Sequence, residues 1–565
     1  MHLTSDGSIH AIGQLLTSEN AGLRVEGLQC LTDRLPLYDT DTLRQIALIL
    51  HNRWDQESVD YVRQLLRRVI LTFALHPAVT SLSTLQDLTK EFLTVSASAL
   101  PASVQTSHLT TLTSLAQHRP AWVVNLLSRP DEFNNIIQRV TQYTLGYHVN
   151  VRVGSLGLYV RLATLAHHLA PLSTSVDTLG LVSHQQLPVT ISRYIQDPHP
   201  KVRKIALDLL YQVHLAGYTL QPDLYDVFVD CLKDDYEYVR LAALRLVWTI
   251  SKLYPGEILQ IRKQDPTDST RLVDNAFVKI CDMVNDISMN VRTEACVLLG
   301  SYYDVQSSYL SQTLSKKIMS HLKRRQPFGK GGGKHEQLGR SAPSGGHHGS
   351  HPKSRRGMIP VAEGDLDVES NEFRILDSGA CGAFVHGLED EYREVRNAAI
   401  TSLCGLCLQS AEFAKQAVDY LVDIFNDEID YVRLNAILSL AKIASKHPIV
   451  MDQEQLQIIL GVMEDANPRI RRGIHGLIGS VEVKDLTCLR TVISSLIDSM
   501  KRRSSDQTSI YQCLSQLGRR HFALVDVPVV EKLLNLERGF LVQEMSQNDP
   551  VYIAQLALVL NAARH

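Results

Sequence analysis

Apolar residues recur at helical spacing on both sides of a short polar turn near the middle of the chain. Before the turn they fall three or four positions apart, on one helical face: Leu224, Val227, Phe228, Cys231 and Leu232. After the turn a second such face follows: Val239, Ala242, Ala243, Leu246, Val247 and Ile250. Pro222 and Asp223 are typical residues for the start of the first helix. The pattern predicts two helices joined by the turn "DDYEYVR".

The same turn is repeated along the sequence. Six segments carry an Asp, an aliphatic residue five positions later and an Arg directly after it, and Ala follows three residues on in all but the last. The six pairs are Asp197/Arg203, Asp234/Arg240, Asp286/Arg292, Asp390/Arg396, Asp427/Arg433 and Asp465/Arg471. Degenerate copies without the Asp surround Arg24, Arg63 and Arg152. The best-spaced arginines are 37 or 38 residues apart.

A period near 40 residues with two helices per unit is typical of an all-α, HEAT/armadillo-type α-solenoid, and two helices favour HEAT. The shorter tetratricopeptide period fits less well. We expect the Asp to end the first helix or cap the second, and the Arg to reach an Asp of its own repeat or of the next one as a bidentate pair. Because a catalytic site is rarely copied along a solenoid, the motif is interpreted as structural.

A segment of different composition interrupts the array between Arg292 and Arg396. It is rich in Gly, Ser, His, Lys and Arg ("HLKRRQPFGKGGGKHEQLGRSAPSGGHHGSHPKSRRGMIP"), and an acidic patch follows it. This composition predicts one long disordered basic loop at 321–372, between helical arrays at 1–320 and 373–565. Three interpretations of the loop stay open: a solvated insertion, a nuclear-import signal or an RNA contact.

Composition and motifs argue against catalysis. Lys and Arg number 57 against 60 Asp and Glu, so no overall basic bias points to nucleic acid. Nine cysteines without framework spacing favour a reducing compartment, and no apolar run is long enough to span a membrane. The segment "GKGGGKH" lacks the spacing of a nucleotide-binding P-loop, and no G-x-S-x-G motif of a serine hydrolase occurs. We interpret the two cysteines of "CGLC" as residues of a helix core. A Ser-His-Asp arrangement stays open. We expect a non-enzymatic, intracellular protein without a metal.

Basic residues cluster late in the array. On stacked repeats they would line one strip and hold a polyanion or an acidic partner, and the alternative is that they are separate solvated helix ends. The candidate contacts are Arg469, Arg472, Lys501, Arg502, Arg503, Arg519 and Arg520.

Several segments go beyond a general repeat consensus. "SGACGAFVHGLEDEYREVRNAAITSLC", "RLVDNAFVKICDMVND" and "LVDIFNDEIDYVRL" closely resemble the Integrator complex subunit 4 family. The resemblance implies a nuclear, non-catalytic scaffold that holds the metallo-β-lactamase-type subunits 9 and 11, the latter an RNA endonuclease, among other Integrator subunits. It further implies 3′-end processing of small nuclear RNA, cleavage of nascent RNA polymerase II transcripts in transcription termination, and an inositol hexakisphosphate at a shared interface.

This sequence departs from the family at its end. The family carries a long C-terminal region with β-sandwich structure, whereas this chain stops at "LALVLNAARH", so we expect a fragment. The alternative function is a HEAT scaffold of another assembly, either a phosphatase regulatory subunit or a nuclear transport receptor.

Overall fold

The computed structural model describes residues 9–34, 45–46, 49–50, 53, 56–75, 102–127, 129–169, 186–260, 269–315, 381–534, 546 and 548–563. The chain divides into two compact units, Met1–Ala276 and Phe277–His565. The predicted basic loop lies outside the described residues, and so do its acidic patch and the segment "GKGGGKH". The boundaries expected at 320 and 373 stay predictions.

The first unit is built from helices and one short hairpin. Its helices are α1 (Ile9–Thr17), α2 (Ala21–Arg34), α3 (Asp60–Leu75), α4 (Ala102–His118), α5 (Pro120–Leu127), α6 (Pro130–Thr144), α7 (Val149–Leu169), α8 (Gln186–Ser192), α9 (Pro200–Leu215), α10 (Tyr225–Cys231) and α11 (Glu237–Leu253). Strand β1 (Ile258–Gln260) pairs antiparallel with β2 (Ser269–Arg271), and Ile258 lies opposite Arg271. Helix α12 (Leu272–Asp282) begins in this unit.

The second unit continues the same helix pairs. Its helices after α12 are α13 (Met289–Leu299), α14 (Ser307–Gln312), α15 (Ala383–Leu388), α16 (Arg393–Cys407), α17 (Ala411–Asp423), α18 (Asp430–Lys446), α19 (Gln453–Val462), α20 (Pro468–Ser480), α21 (Leu486–Arg502), α22 (Gln507–Arg520), α23 (Val527–Leu533) and α24 (Pro550–Ala562). A two-residue parallel bridge joins β3 (Val450–Met451) to β4 (Glu482–Val483).

Local sequence explains where many helices begin. Pro occupies the first turn of α9, α20 and α24, where its fixed φ suits the helix and its missing N–H is not needed. Asp452 caps α19 by a capping box with Gln455, and Asp485 caps α21 by accepting the Cys488 N–H. These caps satisfy backbone donors that have no partner within the helix.

The repeats stack through their second helices. In the first unit α7 packs on α9 and α9 on α11, and in the second unit α13, α16, α18, α20, α22 and α24 pack in that order. The aliphatic residue before each motif Arg and the residue three positions after that Arg are fully buried in these contacts: Val202, Ala206, Val239, Ala243, Val291, Ala295, Val395, Ala399, Val432, Ala436, Ile470 and Ile474. This all-α HEAT-type solenoid confirms the predicted fold class.

The described residues on either side of positions 316–380 meet through backbone hydrogen bonds. The Gly382 N–H donates to the Gln312 carbonyl oxygen at 2.9 Å, and the Phe384 N–H donates to the Thr313 carbonyl oxygen at 3.1 Å. These backbone bonds bring the end of α14 beside the start of α15. Helices α13 and α16 therefore stack as neighbouring second helices although many residues separate them in sequence.

The α13–α16 contact is unusually close. A Cβ added to Gly405 would lie 2.8 Å from the carbonyl oxygen of Gly300, and one added to Gly300 would lie 2.5 Å from the Cα of Ser402. Glycine is therefore required directly after α13 and on α16, because any side chain would force the backbones apart.

Candidate functional site

The motif arginine binds the acid of the following repeat. Arg203 donates from Nε and Nη2 to the Asp234 carboxylate at 2.7 and 2.9 Å, while Nη1 donates to the Asp197 carbonyl oxygen at 2.9 Å. One guanidinium thus ties the end of its own turn to the next turn. Planar, two-pronged geometry of this kind is available to Arg and not to Lys.

An ion pair from the motif arginine to the acid of the following repeat recurs in both units and forms what we call the arginine–carboxylate ladder. Its rungs are Arg24–Glu57, Arg152–Asp197, Arg203–Asp234, Arg292–Asp390, Arg396–Asp427, Arg433–Asp465 and Arg471–Asp506. Every rung arginine also donates to a carbonyl oxygen five or six residues before it. The acid of the next repeat is the partner in every rung, and Arg433 also binds Asp430 of its own repeat.

Two further motif residues take part in the turns. Arg240 donates from Nη1 to the Asp234 carbonyl oxygen at 2.7 Å, as the rung arginines do to theirs. Asp286 accepts the Ser288 N–H at 2.8 Å and ends a 3₁₀ turn, Met283–Asn285.

In every rung except Arg471–Asp506, the carboxylate end organises the turn before the second helix. Asp465 accepts the Asn467 N–H at 2.7 Å, and Asn467 is itself the N-cap of α20. The acid therefore ends the first helical segment and holds the capping residue, which lies two positions further on. A shared backbone bond of this kind is an Asx turn.

Hydrogen bonding favours the charged forms in three of the rungs. The bond to Asp234 raises the pKa of Arg203, and the bond from Arg471 lowers the pKa of Asp506. Burial alone would raise the pKa of Glu57, but hydrogen bonds from Arg24, Arg53 and the Val59 N–H outweigh burial and lower it.

Two rung acids were missed from sequence. Glu57 stands six residues before Arg63, so it occupies the Asp position with a longer side chain. Six residues after Asp506, where the motif has an Arg, the sequence has Gln512, so the repeat cannot be recognised from the motif. The sequence separation could have identified Asp506. It lies 35 residues after Arg471, and the separation between arginine and acid is 31 or 32 residues in rungs such as Arg203–Asp234 and Arg433–Asp465.

The late basic residues have separate local partners. Arg502 and Arg503 both pair with Glu464, Arg519 donates to the Asn561 Oδ1, and Lys501 lies 3.7 Å from the Asp498 carboxylate. Arg469, Arg472 and Arg520 are exposed at the ends or first turn of α20 and α22. These late basic residues are thus exposed or paired one by one with nearby groups, and inositol hexakisphosphate at a shared interface stays a prediction.

A Ser-His-Asp group does come together at the Arg471–Asp506 rung. His475 Nδ1 lies 2.9 Å from Ser509 Oγ, but Ser509 donates to the Asp506 carbonyl oxygen, and the Asp506 carboxylate is bound to Arg471. Burial lowers the pKa of His475 to about 4, which makes it a weak base at neutral pH. These three residues are therefore interpreted as part of the helix packing at this rung.

The paired cysteines of "CGLC" are buried on α16. Burial raises the pKa of both Cys404 and Cys407, so the reactive thiolate is disfavoured. Among the described residues no group of His, Cys, Asp and Glu is arranged to hold a metal ion. None of the helices in the described part of the chain is long and apolar enough for a membrane crossing.

Comparisons with known proteins find relatives of much greater length. The chain is 39% identical over 412 residues to human Integrator complex subunit 4, and this match covers 73% of the chain and 41% of the human protein. It is 40% identical over 372 residues to the Drosophila melanogaster protein of the same name, covering 66% of the chain and 35% of that protein. The chain thus spans about two fifths of the human relative.

Two other matches are more distant. The family described as Cnd1, non-SMC mitotic condensation complex subunit 1, matches residues 394–521. A solved complex of Kap95 with Nup1 has a TM-score of 0.47 at 12% identity, covering 98% of this chain and 63% of the matched one.

The stacked helix pairs and the ladder define a helical-repeat protein of the HEAT type. Over the part of those relatives that it spans, the chain is similar to Integrator complex subunit 4.

Proposed function

We propose that this chain acts in the nucleus as a non-catalytic scaffold of the Integrator complex. The observation that carries the proposal is the 39% identity to human Integrator complex subunit 4 over 412 residues. The ladder supports it physically, because buried ion pairs between successive turns fix the spacing of neighbouring repeats. A solenoid of fixed spacing presents exposed side chains to a partner along an extended surface.

Within that complex, the proposed partners are the metallo-β-lactamase-type subunits 9 and 11. The scaffold would hold this pair for 3′-end processing of small nuclear RNA and for cleavage of nascent RNA polymerase II transcripts. The proposal gives the chain no chemical step of its own. Inositol hexakisphosphate at an interface shared with these subunits stays a prediction.

Co-expression tests this assignment. The tagged chain is expressed with subunits 9 and 11 and passed over a size-exclusion column, and we expect the three to elute together. The purified chain alone should not cleave a small nuclear RNA precursor. If the chain elutes alone, and a nuclear pull-down instead returns a phosphatase catalytic subunit or a small GTPase, the Integrator assignment is wrong.

A further inference from the structure

In the last ladder rung, the carboxylate accepts a different second hydrogen bond from that in the other rungs. In the other rungs one carboxylate oxygen accepts the backbone N–H two residues further on, as Asp234 accepts from Tyr236 at 3.0 Å. In the Arg471–Asp506 rung, the Asp506 Oδ1 accepts the hydroxyl of Ser505 at 3.2 Å. A backbone donor cannot be altered without changing the fold, but a serine hydroxyl can be modified.

The residues before this hydroxyl match the preference of a class of enzyme. The segment reads "KRRSSD", so Arg502 and Arg503 stand three and two positions before Ser505. Basophilic serine/threonine kinases select substrates by basic residues at these positions, because acidic groups on the kinase bind them. Ser505 is exposed, and it lies in the 3₁₀ turn Ser504–Asp506 between α21 and α22.

We propose that Ser505 is a regulatory phosphorylation site for a basophilic kinase and that a phosphate there opens the Arg471–Asp506 rung. The kinase transfers the γ-phosphoryl group of ATP to Ser505 Oγ. The new O–P bond forms as the bond to the ADP leaving group breaks, and the hydroxyl proton is released.

The consequence follows from the charges around the rung. Phosphorylation removes the hydroxyl donor and adds about two negative charges beside a carboxylate that is 1% exposed. Arg471 already makes both of its carboxylate bonds to Asp506, at 2.6 and 3.2 Å, and Arg503 is held by Glu464 at 2.9 Å. Because repulsion at short range in a buried site is poorly screened, the phosphate destabilises the rung and loosens α22 against α20.

Phosphorylation of the full chain tests the site. The folded chain is incubated with the catalytic subunit of cAMP-dependent protein kinase and Mg-ATP well below its melting temperature, and its peptides are sequenced by mass spectrometry. We expect phosphate on Ser505, its loss in S505A, its retention in S504A, and strongly reduced incorporation in the R502A/R503A double variant. Phosphate on Ser505 only after heat unfolding, or none at all, would overturn the proposal.

The effect on the rung is measured separately. Hydrogen exchange of the phosphorylated chain should be faster across Gln507–Arg520 and unchanged across Asp430–Lys446, and its melting temperature should fall by about 3 °C. The S505A variant treated with the same kinase controls for phosphate at other serines and should show neither change. A chain phosphorylated on Ser505 with unaltered exchange in α22 would show that the phosphate does not open the rung.

Discussion

At the scale of single residues, the motif arginine joins two repeats because its five N–H donors point in two directions. Arg292 uses Nε and Nη2 for Asp390, at 2.7 and 3.0 Å, and Nη1 for the Asp286 carbonyl oxygen, at 2.9 Å. Its planar group also lies over the Tyr392 ring, with 5.4 Å between Cζ and the ring centroid. The residue is 8% exposed, so its contacts are little screened by water.

Replacing Arg292 by Met should lower the free energy of unfolding of the second unit by about 3–5 kcal/mol, because the Asp390 side chain, only 10% exposed, loses its counter-charge. R292K should lower the free energy of unfolding by less, because Lys keeps the positive charge. Some loss should remain, because Lys cannot make the two-pronged contact. Urea denaturation followed by circular dichroism measures both changes.

The matched control is R393M. Arg393 lies one repeat further on, pairs with Glu394 and is half exposed, so its removal should hardly move the denaturation midpoint. Equal losses in R292M and R393M would contradict the role given to the ladder.

His475 should make the second unit sensitive to acid. Burial lowers its pKa from 6.5 to about 4, so the folded state binds its proton less readily than the unfolded state. Stability from this group is complete above pH 6.5 and is lost as the pH falls from 6.5 to about 4, by up to about 3 kcal/mol.

Thermal melting of the wild-type chain and of H475Q between pH 7.5 and 4 measures this sensitivity. The variant should lose less stability over that pH range, even where its stability at pH 7.5 is lower. Parallel pH profiles for the two proteins would rule out His475 as a source of the acid sensitivity.

At the scale of helices and turns, the spacing of Asp and Arg was enough to predict the helix pairs, but the rungs needed the structure. A rung joins the Arg of one repeat to the acid of the next, so the two halves of the motif belong to different rungs. Asp506 accordingly needs no Arg six residues on, and Gln512 stands there. The partners of exposed residues such as Arg502 were also beyond the sequence pattern, because long side chains on a surface are not fixed by periodicity.

The close crossing of α13 and α16 should be intolerant of any side chain. In G405A the new Cβ would lie 2.8 Å from the Gly300 carbonyl oxygen, and a backbone atom cannot move aside as a side chain can. We expect a loss of about 1–3 kcal/mol in unfolding free energy, which is the usual result of overpacking.

The control is G476A on α20. A Cβ there meets nothing within 4 Å, so helix propensity should raise stability by up to about 1 kcal/mol. The two substitutions are chemically identical, and their opposite signs in chemical denaturation would isolate the effect of the crossing. A stabilising G405A would show that the two helices can separate without cost.

At the scale of the whole molecule, the ladder continues where the sequence is interrupted. The Arg292–Asp390 rung joins residues 98 positions apart, whereas Arg203 and Asp234 are separated by 31, yet both rungs have the same bonds. The backbone bonds from Gly382 to Gln312 and from Phe384 to Thr313 join the two described segments directly. The helices on either side therefore do not depend on what lies between residues 315 and 381 for their register.

Deleting residues 323–357 should consequently leave the melting temperature of the chain unchanged, because no rung and none of the described helix contacts includes them. The same variant separates the three interpretations of the basic segment. Reduced nuclear accumulation of a fluorescent fusion would favour an import signal, and weaker, salt-dependent retention of a small nuclear RNA precursor would favour an RNA contact. If neither changes while co-elution with subunits 9 and 11 is kept, the segment is a solvated insertion. A deletion that unfolds the second unit would contradict the continuity of the ladder across the insertion.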